Sequence, residues 1–180
     1  YEDLLDPKWK GKLMMEGTKA EWFAGMLQIL GQERGLNYMR ALAKQQPSMR
    51  EGHELLAQLV AAGEGVFDIN IPAASVERMK ERGAPIDWTA LGPVPSTMVG
   101  AGVAAQAPHP NAARIFLDFL LSREGQKLMQ TPGRMSARGD FTNEQAAMLK
   151  ELKIVPVHPS LAEKLDDYAK QLRSIFGGSR

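Results

Sequence analysis

The 180-residue sequence contains no cysteine, which removes disulfides, thiolate metal ligands and cysteine nucleophiles at once. That absence fits an oxidising compartment, although many cytosolic proteins share it. An excess of charge is missing too: 22 Lys and Arg stand against 21 Asp and Glu, a formal net charge of +1. No broad field is available to draw in nucleic acid, and no basic run with interleaved aromatics occurs, so no nucleic-acid partner is expected. No apolar run approaches the roughly 20 residues that span a bilayer. The three histidines, His53, His109 and His158, are far apart and lack ligand spacing, so they suggest no metal site. The patterns G-x-S-x-G, H-E-x-x-H and Walker A are also absent. With no catalytic constellation the chain does not read as an enzyme, and no cofactor is expected. It opens Tyr1-Glu2-Asp3, without an initiator Met or a leader, which reads as a removed leader or as a fragment.

One motif needs dismissing. Gly100-Ala101-Gly102-Val103-Ala104-Ala105 matches the relaxed dinucleotide fingerprint G-x-G-x-x-A. The fingerprint works when its turn opens a helix that holds pyrophosphate. Here Pro108 and Pro110 follow, and they forbid that helix. Small residues for close strand packing are the better reading.

What remains is an alternation of strand-like and helix-like segments, the pattern of an α/β protein. Lys12 to Glu16 predicts a strand that Gly17-Thr18 breaks before a helix. Phe23, Met26, Leu27 and Leu30 form a one-sided helical stripe. Leu36, Met39 and Leu42 continue as a second helix. Pro47-Ser48 predicts the start of a third, with Leu55, Leu56, Leu59 and Val60 inward and Gly63 as its cap. Phe67, Ile69 and Ile71 alternate with Asp68 and Asn70, which is strand periodicity ended by Pro72. Val76 to Arg82 predicts a helix, and Pro85 to Trp88 a short strand. Leu91 to Thr97 is proline-rich and reads as a rigid crossing between lobes. Met98 to Ala105 predicts a buried strand. Asn111 to Leu121 predicts a helix so apolar that deep burial is expected, and Ser122 caps the next one. Thr142 with Gln145, and Ser160 with Glu163, are capping-box patterns. Leu161, Leu165, Tyr168, Leu172 and Ile175 share one face of a last helix ending at Gly177.

Four stretches, taken in order, resemble one family. Asp3 to Lys12 (DLLDPKWKGK), Leu59 to Glu64 (LVAAGE), Ala107 to Ala113 with Phe116 to Gln126 (FLDFLLSREGQ), and Gly133 to Asp140 (GRMSARGD) are similar to segments of ferric-iron-type extracellular solute-binding proteins. The resemblance covers about the first three quarters of the chain and favours the fragment reading. It implies a periplasmic-binding-protein type II-like α/β fold, with one complete lobe plus part of the other. Residues 1–92 and 141–180 would form the second lobe, and residues 93–140 would cross over to complete the first. The implied location is periplasmic, or extracellular and membrane-tethered. The implied partners are a small solute and an ABC permease in the membrane. Self-association of the fragment is expected through the unpaired apolar helix at 111–121.

In two-lobe α/β receptors ligands sit at loops after strands, where helix starts point free N–H groups into the cleft. The candidate ligand-binding residues are Gly17, Thr18, Trp22, Ser48, Arg50, Asn70, Pro72 and Ala73. Thr18 and Ser48 also read as helix caps, Trp22 as core and Arg50 as a surface charge. Iron-binding members place two adjacent tyrosines in the loop after the alternating strand. The matching positions here are Ala73 and Ala74, whose methyl groups coordinate nothing, and Tyr1, Tyr38 and Tyr168 form no adjacent pair in sequence. The expected ligand is therefore a small anionic or polar organic solute, with Thr18, Ser48 and Arg50 supplying donors, rather than bare ferric iron or a sugar. The alternative function is the ligand-sensing domain of a transcription regulator with the same two-lobe topology.

Overall fold

A computed structural model describes residues 1–130, 134–140 and 152–177. Its first half alternates strand and helix: β1 (Leu13–Glu16), α1 (Ala20–Leu30), α2 (Gln32–Ala43), β2 (Ser48–Arg50), α3 (His53–Ala61), β3 (Phe67–Asp68) and α4 (Ala73–Glu81). The second half holds β4 (Val94–Ser96), α5 (Pro110–Leu121), α6 (Arg123–Met129), β5 (Ile154–Pro156) and α7 (Leu165–Phe176). The three strands of the first half form a parallel sheet in the order β2-β1-β3. Each connection therefore carries a helix, as parallel pairing requires.

β1 is buried at all four positions, and its run Leu13-Met14-Met15 suits a central strand covered on both faces. Glu16 closes that run as a buried acid, only 1% exposed. α1 and α2 pack together and α7 lies across them. The core they enclose joins Leu13, Met15, Phe23, Met26, Met39 and Leu42 with Leu172 from α7. Tyr1 and Tyr38 meet edge to face, with ring centroids 6.2 Å apart. A second, two-stranded parallel sheet pairs β4 with β5 and rests on α1. Glycine is required where they cross, because a Cβ on Gly25 would lie 2.6 Å from the Pro95 Cβ. Gln28 fastens the same contact: its side chain donates to the Pro156 carbonyl at 3.0 Å and accepts from the His158 N–H at 3.1 Å.

Several sequence expectations change. Ser48 to Arg50 is a strand, and the third helix begins at His53; pairing with β1 outweighs the helix-start signal of Pro47-Ser48. Leu55 is exposed, while Leu56 and Ala57 carry the inward face of α3. The alternating run is paired only at Phe67 and Asp68. Pro85 to Trp88 forms no strand, since it has no neighbour to pair with among the described residues. Met98 to Ala105 is likewise irregular, with Met98 and Val99 standing in solvent. α5 forms where expected, but none of its residues is buried, and Ile115, Phe116 and Phe119 are exposed. Ser122 caps α6 as expected, accepting from the Gly125 N–H at 3.0 Å. His158 caps the turn at Pro159–Lys164, which displaces Ser160 from that role. The pattern at Thr142 and Gln145 lies outside the described residues.

Candidate functional site

The order β2-β1-β3 places the topological switch point at β1, because the chain moves to one side of it for β2 and to the other for β3. In parallel α/β sheets the crevice beyond the carboxyl ends of the strands, at that point, is where ligands bind. Three loops meet there in this chain: Gly17 to Lys19 before α1, Glu51-Gly52 before α3, and Ile69 to Pro72 before α4.

Glu16 organises the edge. Its side chain accepts from the Thr18 N–H at 3.1 Å and from the Thr18 hydroxyl at 2.8 Å. The Lys19 ammonium stands 3.7 Å from its other oxygen. The next peptide, Gly17 N–H, donates to the Arg50 carbonyl at 3.1 Å and so joins β1 to the end of β2. On the other side the Asn70 side chain brackets the Glu16 backbone. Asn70 Oδ1 accepts from the Glu16 N–H at 2.8 Å, and Asn70 Nδ2 donates to the Glu16 carbonyl at 3.0 Å. Asn70 in turn donates its own N–H to Asp68 Oδ1 at 2.8 Å.

Two further titratable groups border this corner. Asp68 Oδ2 is buried with no hydrogen-bond partner among the described residues. Burial first, and then the Glu16 charge, raise the Asp68 carboxyl to about 7, while the Asn70 N–H opposes the rise. His53 opens α3, and its Nδ1 is likewise buried without a described partner. Burial, the largest cause, lowers its pKa, and a helix N-terminus acts in the same direction. Glu54, beside it, is paired with Arg78 of α4, and the guanidinium holds the Glu54 carboxyl below its usual range. This pair ties the first turn of α3 to α4.

The sequence candidates fall into two groups. Gly17, Thr18, Arg50, Asn70, Pro72 and Ala73 lie together at the carboxyl edge. Ser48 lies at the amino end of β2, opposite Met14, and Trp22 is half-buried against the core. Within the first group, the Thr18 and Asn70 side chains are engaged by Glu16. Arg50 is exposed, with one guanidinium nitrogen on its neighbour's carbonyl at 2.8 Å. Ala73 and Ala74 open α4 behind Pro72, and the three tyrosines belong to the core. Sequence reasoning missed Glu16, Lys19, His53 and Asp68. An acid closing an apolar strand was the available signal for Glu16. His53 was set aside by a spacing argument that excludes only a shared metal site. Among the described residues no three His, Asp or Glu side chains are placed to hold a metal ion.

An open groove of about 410 Å³ lies elsewhere, between α1 and α7, lined by Leu27, Gln28, Gln32, His158 and Tyr168 among others. It shares no residue with the strand edge. The edge joins strand ends, helix starts and two cations, whereas the groove is a mostly apolar seam between helices.

The model of a family described as bacterial extracellular solute-binding protein matches residues 1–167. The chain belongs to that family. This solute-binding family member is extracytoplasmic, in agreement with the location implied by its sequence. It is similar to Iron uptake protein A2 of Synechocystis sp. (strain ATCC 27184 / PCC 6803 / Kazusa), 27% identical over 146 residues, covering 71% of this chain and 42% of the relative. Among solved structures it is similar to iron-bound HitA from Pseudomonas aeruginosa, with a TM-score of 0.66 and 22% identity, covering 96% of this chain and 60% of that one. That likeness shows the fold, the type II periplasmic-binding architecture. The chain spans less than half the length of its curated relative.

Proposed function

We propose that this chain is the sheet-bearing lobe, with part of its companion, of a receptor that captures a small solute and delivers it to an ABC permease. Residues 1–92 and 141–180 make the lobe in this reading, and residues 93–140 cross to the companion after β4, whose pairing with β5 and packing on α1 hold Val94–Ser96 on the lobe. The exposed apolar face of α5 and α6 supports that division, since Ile115, Phe116 and Leu128 have the character of core residues but meet no core among the described residues. Binding energy would serve to close two lobes over the solute. Membership in the family favours this receptor over a regulator's sensing domain, and the absence of a catalytic constellation among the described residues favours binding over turnover.

The observation that carries the ligand class is the convergence of three helix starts with Lys19 and Arg50 at the carboxyl edge. Free N–H groups and cations suit a carboxylate, phosphonate or sulfonate. Both cations are partly or fully exposed, so a ligand entering the cleft reaches them without unfolding anything. The names of the relatives favour a second reading, ferric ion. Against it, the edge offers methyl groups at Ala73 and Ala74 where a phenolate pair would serve a hard cation.

Calorimetry on the full-length protein separates these readings. Malonate, methylphosphonate, taurine, glucose and ferric citrate are titrated in turn, with an absorbance scan for the last. The proposal expects saturable one-to-one binding of an anion, weakened about ten- to a hundredfold by Arg50→Ala, since a charged hydrogen bond contributes roughly 1.5–3 kcal/mol. Binding of glucose alone, or a tyrosinate charge-transfer band with tight ferric binding, overturns it.

A further inference from the structure

The corner between β1 and β3 holds more ionisable chemistry than a structural brace needs. Glu16 is 1% exposed, and its charge is met by Thr18 donors and by Lys19 at 3.7 Å. Asp68 lies on the adjacent strand, and one of its oxygens is matched by the Asn70 N–H at 2.8 Å. The other, Oδ2, is buried with no donor facing it among the described residues. An ionised oxygen in that position is uncompensated and sits near a second buried acid. A proton placed on it removes the charge at its source.

We propose that Asp68 is a proton-operated latch on the candidate site: with a proton on Oδ2 the Asp68–Pro72 loop stays against β1 through Asn70, and ionisation of Oδ2 loosens that hold. The path is a continuous set of hydrogen bonds. Asp68 Oδ1 takes the Asn70 N–H, the Asn70 amide takes both backbone groups of Glu16, and the Glu16 carboxylate takes Thr18. Loss of that proton to solvent strengthens the bond at Asn70 but leaves a buried charge on Oδ2 with no donor facing it among the described residues, and burial is the larger effect. The loop that leads into α4 is thereby drawn from the end of β1 toward water.

The charges around Asp68 are consistent with a titration in the neutral range. From β1, Glu16 raises its pKa; from α3, His53 is held toward its uncharged form by burial and Glu54 is occupied by Arg78. Lys19, before α1, is directed at Glu16. Lys12 and Glu64 lie at the amino ends of the strands and are exposed. Burial is the largest cause of the rise, to about 7.

The meaning of the latch for solute capture rests on the strand edge being the solute face, but its existence does not, so the test uses no ligand. Carboxyl carbon and amide signals are followed by nuclear magnetic resonance from acid to alkaline pH. Asp68 should titrate with a midpoint near 7. The Asn70 and Glu16 amides should follow the same midpoint, and the Glu16 amide should lose about tenfold of its exchange protection on the alkaline side, after correction for intrinsic exchange. In Asp68→Asn the shared step should vanish. Glu16→Gln, which keeps the shape and removes the neighbouring charge, should move the Asp68 midpoint downward. An Asp68 midpoint below about 5, close to a free aspartate, overturns the proposal. So does a step at Asn70 and Glu16 that survives in Asp68→Asn, because another group then owns it.

Discussion

The side-chain amide of Asn70 spans the backbone of Glu16, accepting its N–H at 2.8 Å and donating to its carbonyl at 3.0 Å across 54 residues of sequence. β3 ends at Asp68, so Asn70 performs for one more residue the pairing a longer strand would have provided. Leaving two buried backbone groups unsatisfied costs about 1–3 kcal/mol each. Asn70→Ala should therefore destabilise the chain by about 2–4 kcal/mol in urea denaturation at pH 7, once partial solvation of the site is allowed for. Asn70→Asp should cost at least as much, because it loses the donor to the Glu16 carbonyl and adds a third acid to the corner. A change below about 0.5 kcal/mol for either variant, the size of an ordinary surface substitution, contradicts the bracket.

Much of this edge was legible in the sequence, and the limits have physical causes. Gly17-Thr18 and Asn70 were found because turn residues after apolar or alternating runs mark strand ends. Arg50 was found but assigned to a helix, since three residues of strand carry too little periodicity to outweigh a Pro-Ser helix start. Asn70 was singled out as a ligand contact, and its fixed bonds to Glu16 depend on a tertiary pairing that no local pattern encodes. Asp68 reads in sequence as the polar half of an alternating strand; its burial appears only when β1 and α3 are in place. The apolar helix expected at 111–121 was read as deeply buried; it forms at 110–121 with no buried residue, because burial depends on what packs against it and composition does not encode that.

Asp68 also makes stability depend on pH. An unfolded aspartate titrates near 3.9. In the fold the group titrates at about 7, so between these values the folded chain binds more protons than the unfolded one. Its contribution is complete below about pH 4 and is lost as pH rises through 7. At 1.36 kcal/mol per unit the ceiling is about 4 kcal/mol, and relaxation with water access reduces it to about 1–3. Asp68→Asn should flatten the decline between pH 5 and 8 and should be the more stable chain at pH 8. Urea midpoints across that range check this. Parallel profiles for the two chains contradict it.

Ile115, Phe116 and Phe119 present an apolar face on α5, and Leu121 of α5 with Leu128 and Met129 of α6 are exposed as well. Contiguous apolar patches of this kind drive association. The 180-residue chain should therefore sediment as a concentration-dependent mixture of monomer and larger species. Phe116→Asp should shift it toward monomer without altering the unfolding free energy in urea by more than about 0.5 kcal/mol, because the side chain is 58% exposed. A monomer at all concentrations contradicts the prediction.

The central claim is that the carboxyl edge of the β2-β1-β3 sheet faces the solute. Amide chemical-shift mapping of the 180-residue chain tests it most directly, with malonate, methylphosphonate and taurine added in turn to an isotopically labelled sample. The account predicts that at least one of these anions shifts Gly17, Thr18, Lys19, Gly52, His53 and Ala73, and leaves Gln28, Gln32 and Tyr168 unmoved. Shifts confined to the groove at Gln28, Gln32 and Tyr168, or no saturable shift at the edge with any of the three, would contradict it.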